Sequence, residues 1–563
     1  MLTIDWIFLA LTIACILLYG IYKNRKDKNI DSYLLGNQSL PWYHVGFSLM
    51  ATQASAITFL SGPGEGFANG MSFVQFYLGL PLAMIVLCVT FVPIFHRLKV
   101  YTAYEYLQNR FDNRVRIFTA FLFLLSRGLA TGMAVYAPAI IVSTLFSWDL
   151  TITNVVLGGI VLVFTTIGGT KAISHTHFQQ MMFMTVALFI AFIFILSLLP
   201  DHLSVWNGLK LAGKAGKMNV LNLDPQSKYN LWSGLIGGFF LQLSYFGTDQ
   251  SQVGRFLTGR SVSESRLGLM MNGFIKIPMQ FFIILIGVFV FIFYLYHETP
   301  VFYNSTEVNK IKSGAYAKEF AELEEKNLQN GMEKKEAVMA LEAAIAQSDE
   351  KLIQLNTAKL DAALSTEKAY RSEAAALVKR NDAAGNDKDI NFVFLHFVMN
   401  KLPNGFIGIL IAVIICASIG AIASALSALS ATTMTDIVNV SKMKDWSEAK
   451  ELNITKGLTV LWGVLVVLVA IAVQHTGASM IELVNVIGSW FYGVILGVFL
   501  IAFYIKSIGP TAAFYGAILG QIMVILLWYF GVEQGGWLSF LWLNPIGAGL
   551  VIGIAALIQR KNS

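Results

Sequence analysis

Ser48-Leu-Met-Ala-Thr-Gln-Ala-Ser-Ala-Ile-Thr-Phe-Leu-Ser-Gly-Pro-Gly-Glu-Gly66 starts as a membrane helix, turns small and polar at bilayer depth, and ends in Gly62-Pro63-Gly64. Hydrocarbon offers no partner for a stray N–H or C=O, so a spanning helix keeps its backbone bonds internal. A helix built to break there is tolerated where its freed groups line a cavity, and such helices hold substrate or ions in secondary transporters. The other reading is a kinked helix whose Gly and Ser residues form a packing seam.

Outward from this stretch, the composition agrees with a membrane setting. Of 563 residues, 56% are hydrophobic and 13% charged, and mean hydropathy is +0.62, which excludes an ordinary soluble globule. Cys15, Cys88 and Cys416 all sit in apolar runs, so neither a disulfide framework nor a metal cluster is indicated. The net charge of +6 is a topology signal and gives no sign of a nucleic-acid partner. The run 4–22 lacks a basic leader and a small-x-small cleavage site, and reads as a retained first span.

About thirteen apolar runs could each cross hydrocarbon, near 4–22, 44–67, 73–96, 117–146, 150–167, 178–199, 230–250, 270–296, 403–436, 453–474, 479–504, 508–531 and 537–559. Placing the N-terminus outside puts Lys23 to Lys28, Arg97 to Arg116, Lys171, Arg255 to Arg266, Lys442 to Lys450, Lys506, and Arg560 with Lys561 on inner sides. That is the positive-inside pattern, N-out and C-in. Lys210, Lys214, Lys217 and Lys228 in the outer segment are exceptions, partly offset by Asp201 and Asp224. The expected location is a cell membrane in contact with lipid, a bacterial inner membrane above all.

From about 300 to 391 the composition turns to Ala, Glu, Lys and Gln, with Leu341, Ile345, Leu352 and Leu355 at helical spacing. This predicts a soluble extracytoplasmic insert of two or three amphipathic helices, broken near Gly331 and ending around Gly385-Asn386. It reads as a solvated elaboration, or as a surface for a protein partner or for solute capture. A second broken helix is expected at 230–254, where Gly237-Gly238 precede Ser244-Tyr-Phe-Gly-Thr-Asp-Gln-Ser-Gln252. Five spans separate the two breaks, which points to oppositely oriented repeats.

Asp31-Ser-Tyr-Leu-Leu-Gly-Asn-Gln-Ser-Leu-Pro-Trp42, Thr102-Ala-Tyr-Glu-Tyr-Leu107 with Arg110-Phe111, Gly168-Gly-Thr-Lys-Ala172, and Gly247-Thr-Asp-Gln-Ser-Gln-Val253 with Arg255 follow in that order. Together they resemble the solute:sodium symporter family, relatives of the sodium/glucose cotransporters with the leucine-transporter fold. The resemblance covers nearly all but the insert. It implies an all-α polytopic membrane protein: an extra first span and inner loop (1–41), a first inverted repeat (42–199), an outer loop (200–229), a second repeat (230–299 and 392–504), the insert (300–391), and two trailing spans (505–563). It also implies broken first and sixth core helices and alternating access around a midplane site, without enzyme activity.

The same resemblance puts the substrate site on Gln53, Thr58, Asp249, Lys276 and Asn485, with Ile57 standing where sugar carriers have an acid. Read as residues, Asp249 and Lys276 are costly at bilayer depth unless they pair or face water. They either pair with each other or join Gln53 and Asn485 around a polar solute such as a sugar, polyol or organic acid. Arg127 reads as a snorkelling arginine, with a carboxylate partner as the second reading. No metal-spaced His/Cys set or nucleophile elbow supports an enzyme.

For the coupling ion, sodium, the resemblance implies backbone carbonyls at Ala51, Ala54 and Ala417 plus two hydroxyl side chains. Aligned through Asp436-Ile437, that hydroxyl pair falls on Gly420 and Ala421, which have none, and the accessory aspartate falls on His177. Sodium held by carbonyls with Ser418 or Ser424 is one reading. Proton coupling through His177 or Asp249 is a second. An uncoupled carrier or a transporter-derived receptor is the third. His175 and His177 also read as inner-loop histidines without an ionic role.

Overall fold

Polar side chains cap both helix interruptions from within the bundle, and the rest of the fold is arranged around them. The computed structural model describes residues 2–23, 38–98, 101–146, 148–224, 227, 229–383, 385–441, 446–474 and 480–562, with side chains at all but 16–23, 167–175, 441, 448 and 562. The basic cluster Lys23 to Lys28, most of the Asp31–Trp42 motif, Gly168 to Ala172, His175, Lys228, Lys442 and Lys444 therefore lie outside the described residues or side chains.

Among the described residues the spanning elements are helical. They are α1 (Thr3–Lys23), the broken rod α2 (Trp42–Gln53) and α3 (Ala56–Asn69), α4 (80–98, with a π turn at Leu87–Phe91), α5 (Asn113–Phe146) and α6 (Leu150–Ser197). The second broken rod follows as α7 (Gly238–Thr248) and α8 (Gln250–Phe256), then α9 (Val262–Tyr296). The insert supplies α10 (Ser305–Lys312), α11 (Ala317–Gln347) and α12 (Glu350–Asn381). The chain returns to the bundle as α13 (Phe406–Thr432), α14 (Glu448–Val473), α15 (Met480–Tyr504), α16 (Pro510–Leu527) and α17 (Leu543–Asn562). Nine described segments are long and apolar enough to span a membrane. The other four expected runs fall on Thr3–Cys15, Leu150–Thr166 and the two broken rods. The runs 150–167 and 178–199 belong to one helical element, α6, which contains no proline.

The first interruption lies at Ala54 and Ser55, both extended (φ −87°, ψ 92°; φ −123°, ψ −179°). It does not lie at Gly62-Pro63-Gly64. Polar bonds fix the earlier position: Ser418 Oγ on α13 accepts the first free N–H of α3, from Ala56, at 2.8 Å. Thr58 Oγ1 reaches back across the gap to the Gln53 carbonyl at 3.0 Å. Pro63 is carried inside α3, and its glycine neighbours serve packing. A Cβ on Gly66 would fall 2.1 Å from the Ile284 carbonyl oxygen, and one on Gly287 would fall 2.0 Å from that of Pro63. The seam reading of these glycines is correct for α3 against α9, alongside the break.

The second interruption is Asp249 (φ −79°, ψ 118°), whose carboxylate caps α8 by accepting from Ser251 N at 2.9 Å. Caps of this kind supply partners to helix-terminal N–H groups that otherwise have none. α3 packs on α9, α7 on α15, and α13 on both α5 and α6. α13 is enclosed along nearly its whole length.

In the insert, the helix expected to break at Gly331 runs through it, and the turn comes at Ser348 (φ 53°). Leu352 and Leu355 are exposed, while Val338 and Leu341 join the hydrophobic core of the bundle. A buried polar knot anchors the insert to the end of α9: Lys334 Nζ meets Glu367 at 2.5 Å and Thr299 Oγ1 at 2.7 Å. It is therefore docked on the bundle and is more than a solvated appendage.

Gly287→Ala is expected to lower stability by about 1–3 kcal/mol through overpacking. Gly331→Ala, whose Cβ meets nothing within 4 Å, is expected to raise it by up to about 1 kcal/mol through helix propensity. Thermal unfolding of both variants in the same lipid or detergent checks the pair.

Candidate functional site

Between the two interruptions lies a cavity of ≈ 130 Å³. One water needs about 10–15 Å³ on this measure, so the space suits roughly ten non-hydrogen atoms. α2 and α3 contribute Gln53, Ser55, Ile57 and Thr58; α5 contributes Arg127 and Thr131; α7 contributes Gln242 and Tyr245; α9 contributes Lys276; α15 contributes Asn485 and Tyr492. Four of the five expected substrate residues, Gln53, Thr58, Lys276 and Asn485, thus share one cavity. Asp249 lies one layer away, behind Arg127 and Tyr492.

Arg127 does not snorkel. It is 8% exposed, and its Nε donates to Asp249 Oδ2 at 3.0 Å while Nη2 also engages that carboxylate. Tyr492 OH donates to the same oxygen at 3.2 Å, and the guanidinium lies 5.2 Å over the Tyr245 ring. Hydrocarbon forbids an unmatched charge this far from the ends of α5, so the arginine turns inward to the only chemistry that neutralises it. The expected Asp249–Lys276 pairing is therefore absent.

Lys276 is 2% exposed, lines the cavity, and has no carboxylate partner among the described residues. Gln53 Nε2 and Asn485 Nδ2 each bond a carbonyl of the preceding turn, at 3.3 and 2.7 Å. Arg127, Tyr245, Gln242 and Tyr492 were not singled out as site residues from sequence. An arginine amid an apolar span, and Tyr245 and Gln242 one and two turns before Asp249, were the signals available.

Around the first break, the carbonyls of Ala51 and Ala54 receive no hydrogen bond among the described residues. Ser418 Oγ accepts from Ala56 N and donates to Ile414 O at 2.9 Å. Ser424 Oγ accepts from Arg255 Nη2 at 2.6 Å. Both hydroxyls expected near an ion are thus engaged elsewhere. A Cβ on Gly420 would lie 2.5 Å from Gln180 Oε1 and 3.0 Å from His177 Nε2. The fully buried His177, whose Nδ1 lies 3.3 Å from Ser48 Oγ, and Gln180 therefore fill the space a hydroxyl side chain would take.

The loop at 101–104 is bonded to both sides of the second interruption and to Asp436. Tyr104 OH donates to the Thr248 carbonyl at 2.6 Å, Ala103 N to Gln250 Oε1 at 3.1 Å, and Thr102 Oγ1 to Asp436 at 2.9 Å. Arg116 locks the same Asp436 through Nε at 2.7 Å.

The model of the family described as "Sodium:solute symporter family" matches residues 33–312 and 368–520. The chain belongs to that family. The family's coupling ion is sodium, and its members are transporters embedded in membranes. The unmatched gap in this family member falls on α11 and the first part of α12. The human sodium/iodide cotransporter is 30% identical over 248 residues, 44% of this chain and 38% of that protein. The Mus musculus sodium-coupled monocarboxylate transporter 1 is 30% identical over 261 residues, 46% of this chain and 42% of that protein. The matched region spans less than half the length of these relatives. A solved structure titled as the substrate-bound outward-open state of a Na+-coupled sialic acid symporter superposes with TM-score 0.73 at 20% identity, covering 100% of this chain and 98% of that one. It establishes the fold, an all-α membrane bundle with interrupted helices.

Asp249→Asn leaves Arg127 buried and unmatched, and is expected to cost about 3–5 kcal/mol of stability. The double change Arg127→Met with Asp249→Leu is expected to recover most of that loss. Unfolding midpoints of the single and double variants check it.

Proposed function

We propose that this symporter couples sodium to the import of a small organic carboxylate, which binds through Lys276. The observation that carries the reading is the charge count of the cavity. Its two buried cations are Arg127 and Lys276, and only Arg127 has a carboxylate. A carboxylate solute removes the remaining imbalance, and Gln53, Thr58 and Asn485 are placed to take its other polar groups. The cavity's size favours a solute of roughly ten non-hydrogen atoms over a large sugar acid. The names of the relatives, which print iodide, monocarboxylate and sialic acid, support an anionic cargo.

Sodium is written here as co-substrate. The carbonyls of Ala51, Ala54 and Ala417 are its protein ligands in this reading, with water completing the shell because Gly420 and Ala421 bring no hydroxyl. Alternating access opens the cavity first on the insert side, which the N-out orientation puts outside, and then by release of the 101–104 loop. A second reading, proton coupling, draws on His177 lying buried against Gly420 and Ser48.

Uptake of labelled propionate, lactate and pyruvate into proteoliposomes, with sodium and pH gradients imposed separately, tests both readings. A sodium gradient alone is expected to drive accumulation. Uptake driven only by a pH gradient would favour His177, and equal uptake under every gradient would sink coupling. Lys276→Met is expected to weaken carboxylate binding about 10- to 100-fold, the worth of one charge-assisted hydrogen bond.

A further inference from the structure

Beneath the insert lies a second and larger cavity, of ≈ 950 Å³. Its walls are the end of α3 from Glu65 to Asn69, the loop carrying Lys217, and one face of α12 that includes Lys368 and Arg371. Positions 361, 364, 368, 371 and 375 recur at helical spacing, so α12 presents a continuous face to the cavity. Of this wall, Asp361, Leu364, Ser365 and Glu367 fall in the gap of the family match, which stops at 312 and resumes at 368.

Three of the cavity's carboxylates are matched: Glu367 by Lys334 at 2.5 Å, Asp389 by Arg371 at 2.5 Å, and Asp387 by Lys379 at 3.8 Å. Among the described residues, neither Lys217 nor Lys368 has a carboxylate partner. Lys217 Nζ instead donates to the Ala68 carbonyl at 2.6 Å and lies 4.8 Å over the Phe291 ring. Asp361, two turns from Lys368, and Glu65, Glu482 and Lys388 line the cavity as well.

Both cavities border α3. Thr58 lines the inner cavity, Ser61 follows one turn on, and Glu65 and Asn69 line the outer one. Between them Ser61 Oγ donates to Asn391 Oδ1 at 2.7 Å, which also accepts from Met480 N at 3.4 Å. Glu482 on α15 lies less than a turn from Asn485 of the inner site.

We propose that the insert-walled cavity is a capture site for the carboxylate solute, where Lys217 and Lys368 hold it before it passes along α3 to Lys276. The proposal rests on the carboxylate reading given above. It gives the insert a task in transport: a weak anion site above the tight one, on the face from which solute arrives. Burial, with the cations of Arg371 and Lys368 nearby, lowers Lys217 to about 8, against the opposing pull of Glu367. Glu65 and the Ala68 carbonyl on α3, the Phe291 ring on α9, and α12 complete its surroundings. Lys217 is charged below that pH and neutral above it, so capture weakens as pH rises through about 8.

The test is calorimetric titration of propionate into the full chain in lipid nanodiscs at fixed sodium. Wild type is expected to show a tight and a weak event. Lys276→Gln removes the tight one, and Lys217→Gln with Lys368→Gln removes the weak one. In proteoliposomes the lysine double variant raises the uptake KM roughly tenfold with the maximal rate unchanged. The weak event is expected to fade between pH 7 and 9 in wild type and to persist in Lys217→Arg. A single event, abolished by Lys276→Gln, would overturn the capture site and leave the transport reading standing. A weak event that survives without any propionate uptake would support capture and sink the transport reading. No propionate binding by any variant would overturn both.

Discussion

A peptide carbonyl in hydrocarbon must find a partner or not be there, and this constraint organises the molecule. The bundle meets it twice with side chains that reach across from another helix or from the break itself. At the first interruption Ser418 caps α3 from α13, and at the second Asp249 caps α8 locally while holding Arg127. What these caps leave over is as informative as what they satisfy. The carbonyls of Ala51 and Ala54 receive no hydrogen bond among the described residues.

Charge follows the same logic. Arg127 and Asp249 neutralise each other in a low-dielectric interior, where an isolated charge is costly. Their pair also fixes the second interruption against α5 and Tyr492. Lys276 lies outside that pair and lines the inner cavity without a carboxylate partner among the described residues. The inner cavity thus carries an imbalance within its own walls.

The sequence made the two broken rods and the insert legible, because glycine, proline and polar residues in apolar runs carry direct physical meaning. It located the first break within 48–66 without saying which residues part the helix. Gly62-Pro63-Gly64 is the louder signal, yet a proline is tolerated within α3, and the bond from Ser418, over three hundred residues away, decides the position. Gly331 misled for a similar reason: tertiary packing of α11 outweighs one weak helix former. Gln53, Thr58, Lys276 and Asn485 came together as expected. Arg127 was read from its position along α5 alone, and no local pattern reveals that it faces Asp249. The lack of hydroxyls at Gly420 and Ala421 was visible, whereas the filling of the space beside Gly420 by His177 and Gln180 required coordinates.

One modest contact has mechanical weight. Leu40, just ahead of α2, exchanges backbone bonds with the chain just beyond α8: its N–H reaches Thr258 O at 3.1 Å, and its C=O accepts from Arg260 N at 3.2 Å. The clip ties the approach to α2 to the chain leaving α8. Such a linkage works like a yoke, coupling the position of one short rod to that of the other.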